Sequence, residues 1–192
     1  MSMETDTLPR ETAANGYDVE AVRRDFPILS TTVHGKPLVY LDSAASAQKP
    51  RAVLDRLQRA YTEEYANVHR GLHELANRAT EAYEGAREKV RAFLNAEHPE
   101  EIVFTRSSTE AINLVAASFG GDVIGEGDEV VLSIMEHHSN IVPWHFHRER
   151  RGARLVWVDV GDDGSFDVGR FEAALGERTK MVAITHMSNT LG

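Results

Sequence analysis

Between residues 101 and 185 short apolar runs alternate with stretches of helical period, and the alternation is regular enough to read as a fold class. The pattern predicts strands over residues 101–105, 129–134, 154–160 and 180–185, with helices over 109–119, 141–151 and 168–175 between them. Val130-Val131-Leu132 and Met181-Val182-Ala183-Ile184 are continuously apolar, as strands covered on both faces are. Strands alternating with helices in this way predict an α/β fold with a largely parallel sheet, and a short strand edge left unpaired would favour aggregation. The earlier chain is less regular. Helical periodicity covers residues 18–26, 50–65 and 74–94, and a short strand is expected over 38–41, after a turn at His34-Gly35-Lys36-Pro37. Residues up to about Tyr17 lack periodicity and read as a flexible tail.

Ligands of parallel α/β sheets collect beyond the carboxyl ends of the strands, where residues 107–109, 136–140 and 186–189 fall. At the first of these, Ser107 with Glu110 three residues on fits a capping box. The exposed N–H groups and dipole of the helix make an anion site, to which the hydroxyls of Ser108 and Thr109 add donors, and a phosphate would suit it. In the second, His137 at a strand end offers an imidazole able to stack on a flat ring and relay protons.

Composition narrows the chemistry. The 192 residues are 42% hydrophobic, enough for a real core, and the formal net charge of −9 argues against nucleic acid as the main partner. No apolar run approaches a membrane span and residues 1–16 lack the core of a signal peptide, so a cytoplasmic location is expected. With no cysteine, these residues offer no disulfide, thiolate metal site or cysteine nucleophile. No metal site is expected: His-Glu-x-x-His is missing, and His69 and His73 enclose Arg70, Gly71 and Leu72. The Asp-rich stretch 159–164 reads as a turn, because Arg170 occupies the place where a calcium loop needs glutamate. Neither a nucleotide P-loop nor a Gly-x-Gly-x-x-Gly fingerprint accounts for the anion site, so a different phosphorylated ligand is required.

Five ordered segments carry a family resemblance: residues 41–50 (Leu-Asp-Ser-Ala-Ala-Ser-Ala-Gln-Lys-Pro), 67–73 (Asn-Val-His-Arg-Gly-Leu-His), 104–115, 135–144 (Met-Glu-His-His-Ser-Asn-Ile-Val-Pro-Trp) and 186–192 (His-Met-Ser-Asn-Thr-Leu-Gly). Together they resemble the Suf-type, group II cysteine desulfurases, pyridoxal-phosphate enzymes of the class V aminotransferase branch. The resemblance implies fold type I, with residues 18–40 beginning the small domain and 41–192 forming part of the cofactor-binding large domain. It implies that Ser108 and Thr109 hold the cofactor phosphate, and that His137 stacks on the pyridine ring and acts as a catalytic proton carrier. Asn189 would donate to the phenolic oxygen and the substrate, Ala44 and Ala45 would line the substrate pocket, and His69 and Arg70 would lie near the subunit boundary of a homodimer. The implied reaction takes L-cysteine to L-alanine and passes sulfur, as a persulfide on an enzyme cysteine, to an acceptor protein of iron–sulfur cluster assembly.

Two departures stand out. The family commonly has Gly-Thr-Thr where this chain has Ser107-Ser108-Thr109, so strain at Ser107 is an expectation if that position needs glycine. The four lysines, Lys36, Lys49, Lys89 and Lys180, do not resemble the family's cofactor lysine, which follows the Asn189 motif, and its persulfide cysteine lies farther on. The expectation is therefore an N-terminal fragment, inactive alone. Selenocysteine lyase or another class V lyase or aminotransferase is the alternative within the fold, and a non-catalytic remnant or dimerisation partner is the alternative outside catalysis.

Overall fold

The computed structural model describes residues 16–192, so most of the predicted N-terminal tail lies outside the described residues. The chain divides into two compact units, one ending at Ile102 and one over Val103–Gly192.

In the first unit, α1 (Val19–Arg24) starts where the Asp18 carboxylate accepts the Ala21 N–H at 2.9 Å. The hairpin of β1 (Thr32–Val33) and β2 (Lys36–Pro37) turns through His34 and Gly35, both at positive φ (52° and 73°), the backbone a two-residue hairpin needs. This hairpin takes the place of the strand expected over 38–41. Val39 and Leu41 are 77% and 91% exposed and have no ladder. Helices α2 (Arg51–Glu63) and α3 (Glu74–Leu94) follow. Pro50, which has no N–H to leave unpaired, stands at the N-cap of α2, while His73 Nδ1 caps α3 and Asn95, at φ 56°, ends it in the left-handed region.

The second unit is built on three parallel strands in the order β4 (Arg154–Val158), β3 (Glu129–Ser133), β5 (Thr179–Ala183). Helices α4 (Ser108–Ala117), α5 (Phe119–Val123), α6 (Val142–Arg151) and α7 (Val168–Ala174) complete it. Every helix and strand foreseen between 109 and 185 is present, with ends shifted by one or two residues, except that 109–119 is divided into α4 and α5 at Ser118. α6 stops at Gly152, whose φ of 72° and close approach to Glu126 both favour the missing side chain. Val130, Val131 and Leu132 of the central strand are 0% exposed, as their unbroken apolar run implies, and so is Ser133. Val130 and Leu132 meet Ala116, Ile124, Trp144, Ala153 and Ala183 in one core.

The strand expected over 101–105 does not form. A 3₁₀ turn, Pro99–Glu101, stands at its start, and Ile102 continues in extended backbone without a strand partner among the described residues. An apolar run becomes a strand only with a neighbouring ladder, and the run alone was legible.

Leu132→Ala should lower the unfolding free energy by about 2–5 kcal/mol, the cost of a cavity in a site that cannot collapse. Urea titration followed by tryptophan fluorescence checks this, Trp144 lying in the same core.

Candidate active site

The parallel register sends all three strands out on the same edge of the sheet, where their following loops meet. A cleft of about 370 Å³ opens there, lined by Ile134, Glu136, His137 and His138 after β3, Val160 after β4, and residues 188–191 after β5. That volume falls in the range of about 300–1,000 Å³ common to small-molecule sites. His137 and Asn189, the two residues expected to face a cofactor ring, both line it.

His137 is exposed at the head of a 3₁₀ turn, His138–Asn140. The Ser139 N–H donates to His137 Nδ1 at 3.1 Å, and the Ser139 hydroxyl lies 2.9 Å from the same atom. Nδ1 therefore uses its lone pair, and the ring proton of the neutral imidazole sits on Nε2. Asn189 is exposed, with only a 3.5 Å contact from its amide to Thr190 Oγ1. Its turn is nevertheless fixed, because the buried Ser188 hydroxyl accepts the N–H groups of Thr190 and Leu191, each at 3.1 Å.

The start of α4 carries Ser108 and Thr109, which do not line the cleft; the helix packs on the 138–140 turn that does. Ser107 caps it, its hydroxyl accepting the Glu110 N–H at 3.2 Å. The expected capping box is only half formed. Glu110 reaches past the Ser107 N–H to that of Arg106 at 2.6 Å, drawn there by the Arg106 guanidinium at 3.0 Å. Ser107 has φ −167°, extended backbone open to any residue, so the strain expected at this position does not arise. The first-turn N–H groups of Ser108 and Thr109 have no acceptor within the helix, leaving an anion seat beside two hydroxyls. A flat, phosphorylated cofactor fits these features: an exposed imidazole face, a ring-sized cleft and an anion seat.

Ala44 and Ala45 belong to the first unit, in a turn where the Ala45 N–H donates to Asp42 C=O at 3.2 Å. His69, in the same unit, sits at φ 62° beside Arg70, its Nε2 2.9 Å from Glu84 Oε1 and its N–H donated to Thr80 Oγ1 at 3.0 Å.

Glu136 was not singled out by its sequence position, yet it is the most heavily bonded side chain at the cleft. It is 7% exposed and accepts from the Ser133 hydroxyl, the Thr185 N–H at 2.9 Å and the Asn140 amide at 2.7 Å. Ser133 and Asn140, three residues before and four after, were the available signal.

The fold that these features define is that of α/β pyridoxal-phosphate enzymes of fold type I, and the solved structures that resemble it bear this out. A cysteine desulfurase from Thermococcus onnurineus, solved in its apo form, superposes with a TM-score of 0.81 at 36% identity, covering 91% of this chain and 41% of its own. The corresponding values for a cysteine desulfurase from Escherichia coli are 0.73, 37%, 90% and 42%. The chain belongs to the aminotransferase class-V family, whose model matches residues 39–192. Among curated relatives, a probable cysteine desulfurase of Synechocystis sp. is 54% identical over 171 residues, 89% of this chain and 41% of the relative. A cysteine desulfurase of Pectobacterium carotovorum is 52% identical over 176 residues, 92% of this chain and 43% of the relative. The chain thus spans about two fifths of the length of these two relatives.

Arg106, by its side chain first and its N–H second, holds the Glu110 carboxyl below the usual glutamate value. A depressed carboxyl stabilises the folded state above its unfolded pKa and ceases to do so as pH falls through the folded value. Acidification from neutral pH through the carboxylate range should therefore fray the start of α4, seen as a falling exchange protection factor at the Arg106 and Ala111 amides, which donate to Glu110 and to Ser107 C=O, and Glu110→Gln should abolish that dependence.

Proposed function

We propose that this chain forms the cofactor-ring and phosphate side of a cysteine desulfurase that takes L-cysteine to L-alanine and passes the sulfur to a thiol. The observation that carries the reading is the cleft lined by both His137 and Asn189, in a chain about half identical to cysteine desulfurases. Pyridoxal phosphate, when bound, supplies an electron sink for the bonds of the substrate amino acid.

The chain's own residues then have distinct tasks. Ser108 and Thr109 hold the phosphate with their hydroxyls and first-turn N–H groups, aided by the helix dipole. His137 stacks its ring on the pyridine face, and Nε2 is the atom that holds or moves a proton, since Nδ1 is engaged by Ser139. The Asn189 amide, barely held by its neighbours, turns to donate to the cofactor's phenolic oxygen and the substrate. Ala44 and Ala45 border the substrate with small side chains, and His69 and Arg70 stand at the boundary of a homodimer. On this reading residues 18–40 open the small domain and 41–192 belong to the large one. No cysteine is present, and none of the four lysines resembles the family's cofactor lysine, so complete turnover needs groups outside these 192 residues. The sulfur goes to an acceptor protein of iron–sulfur assembly in the cytoplasm.

Thr109→Ala should weaken pyridoxal-phosphate binding by about 1–3 kcal/mol, the scale of a lost bond to a charged group. A fluorescence titration of the 192-residue chain reads this directly, and equal affinities for the variant and wild type would remove Thr109 from the phosphate seat.

In the protein at the full length of its relatives, His137→Ala should slow alanine formation by roughly 10²–10⁴ fold, whereas His138→Ala should cost far less. Equal losses from the two substitutions in a steady-state assay would contradict the role given to His137.

A further inference from the structure

We propose that Glu136 is a positioning residue, a buried carboxylate that clamps the two loops of the cleft together and so fixes the His137 ring. Its oxygens bridge elements far apart in sequence. Oε1 accepts from Ser133, the last residue of β3, and from the Thr185 N–H just beyond β5, 49 residues away in the chain. Oε2 accepts from the Asn140 amide at 2.7 Å, and Asn140 Oδ1 accepts the Trp144 indole N–H at 3.2 Å. His137 lies between Glu136 and Asn140, so both ends of its turn are tied to one carboxylate. Thr185 stands four residues before Asn189, so the same carboxylate tethers the other wall of the cleft.

Three of these bonds have a fixed direction. An indole N–H only donates, so it fixes Asn140 Oδ1 toward Trp144 and the amide NH₂ toward Glu136. The Thr185 N–H also only donates. Glu136 therefore accepts on both oxygens, as a carboxylate does. Among the described residues no ion pair includes it. Burying a carboxylate on neutral donors alone is costly, and an apolar side chain would serve packing better. The cost is explicable if the carboxylate holds geometry: each donor is fixed in place by an element of the fold, and His137 inherits that order.

Glu136→Gln provides a nearly isosteric test, because glutamine has one acceptor and one donor. In any orientation it sets a donor against a donor, either at Thr185, at Asn140, or at Trp144 if the Asn140 amide turns over. Removing the indole N–H with Trp144→Phe frees Asn140 to turn, so the double variant Glu136→Gln/Trp144→Phe should recover what the single variant loses. The measurement is NMR of the His137 ring in the 192-residue chain: the order parameter at Cδ2–Hδ2 and the ¹⁵N shift of Nδ1. Glu136→Gln should lower that order, move Nδ1 toward a mixture of tautomers and speed exchange of the Thr185 amide, and the double variant should restore all three. An unchanged His137 ring in Glu136→Gln overturns the proposal. If that variant does not fold, the double variant decides: an ordered ring supports the clamp, a loosened one overturns it.

The consequence for the cofactor rests on the function proposed above. Glu136→Gln should weaken pyridoxal-phosphate binding roughly tenfold, with recovery in the double variant. A loosened ring with unchanged cofactor affinity supports Glu136 as the positioning residue and contradicts the stacking role of His137, which separates failure of one reading from failure of the other.

Discussion

The burial of Val130–Ser133 of β3 between two parallel neighbours is the constraint on which the site depends. Its residues pair with β4 on one side and, after a one-residue register shift between Glu129 and Val130, with β5 on the other, Leu132 opposite both Trp157 and Ala183. A strand buried on both faces and both edges cannot slip without exposing its apolar run. Because the three strands are parallel, their chains must leave on the same edge, and the Ile134 N–H still reaches Val158 C=O at 3.1 Å as they do so. The cleft follows from that geometry before any particular side chain is considered, and the chemistry comes from what the loops carry into it.

Much of this was legible in the sequence because the signals are local. The continuous apolar runs of β3 and β5 marked buried strands, and the helical periodicity over 18–26 and 141–151 marked α1 and α6. His137 and Asn189 were legible through their positions at strand ends and through the family resemblance, and the structure brings both to one cleft. The failures have a common cause. Residues 38–41 and 101–105 are apolar enough for strands, but a strand needs a ladder partner, and partnership between distant segments leaves no local mark. The division of α4 from α5 at Ser118, whose ψ of −87° departs from helical values, was equally invisible in the apolar spacing.

Glu136 shows the same limit at the scale of one side chain. A glutamate beside two histidines after a strand reads as a surface charge, and two of its partners lie close enough in sequence to be noticed. The third, the Thr185 N–H, is a backbone group brought in by the sheet, and it is what turns a local contact into a bridge between loops. At the start of α4, similarly, the Ser107 cap was legible while the capture of Glu110 by Arg106 was not, since the guanidinium competes with the reciprocal half of the capping box.

On the function proposed above, one cleft edge and one helix terminus of this unit together receive a flat phosphorylated cofactor. This is tested most directly by titrating the isotopically labelled 192-residue chain with pyridoxal phosphate and following backbone and histidine-ring resonances. The account predicts saturable shifts at Ser108, Thr109, His137 and Asn189, with the His147 ring, which is bonded to Ala116 C=O in the buried interior, left in place. Shifts confined to Lys36, Lys49, Lys89 and Lys180 and their neighbours, with Ser108, Thr109, Asn189 and the His137 ring unmoved, would contradict it.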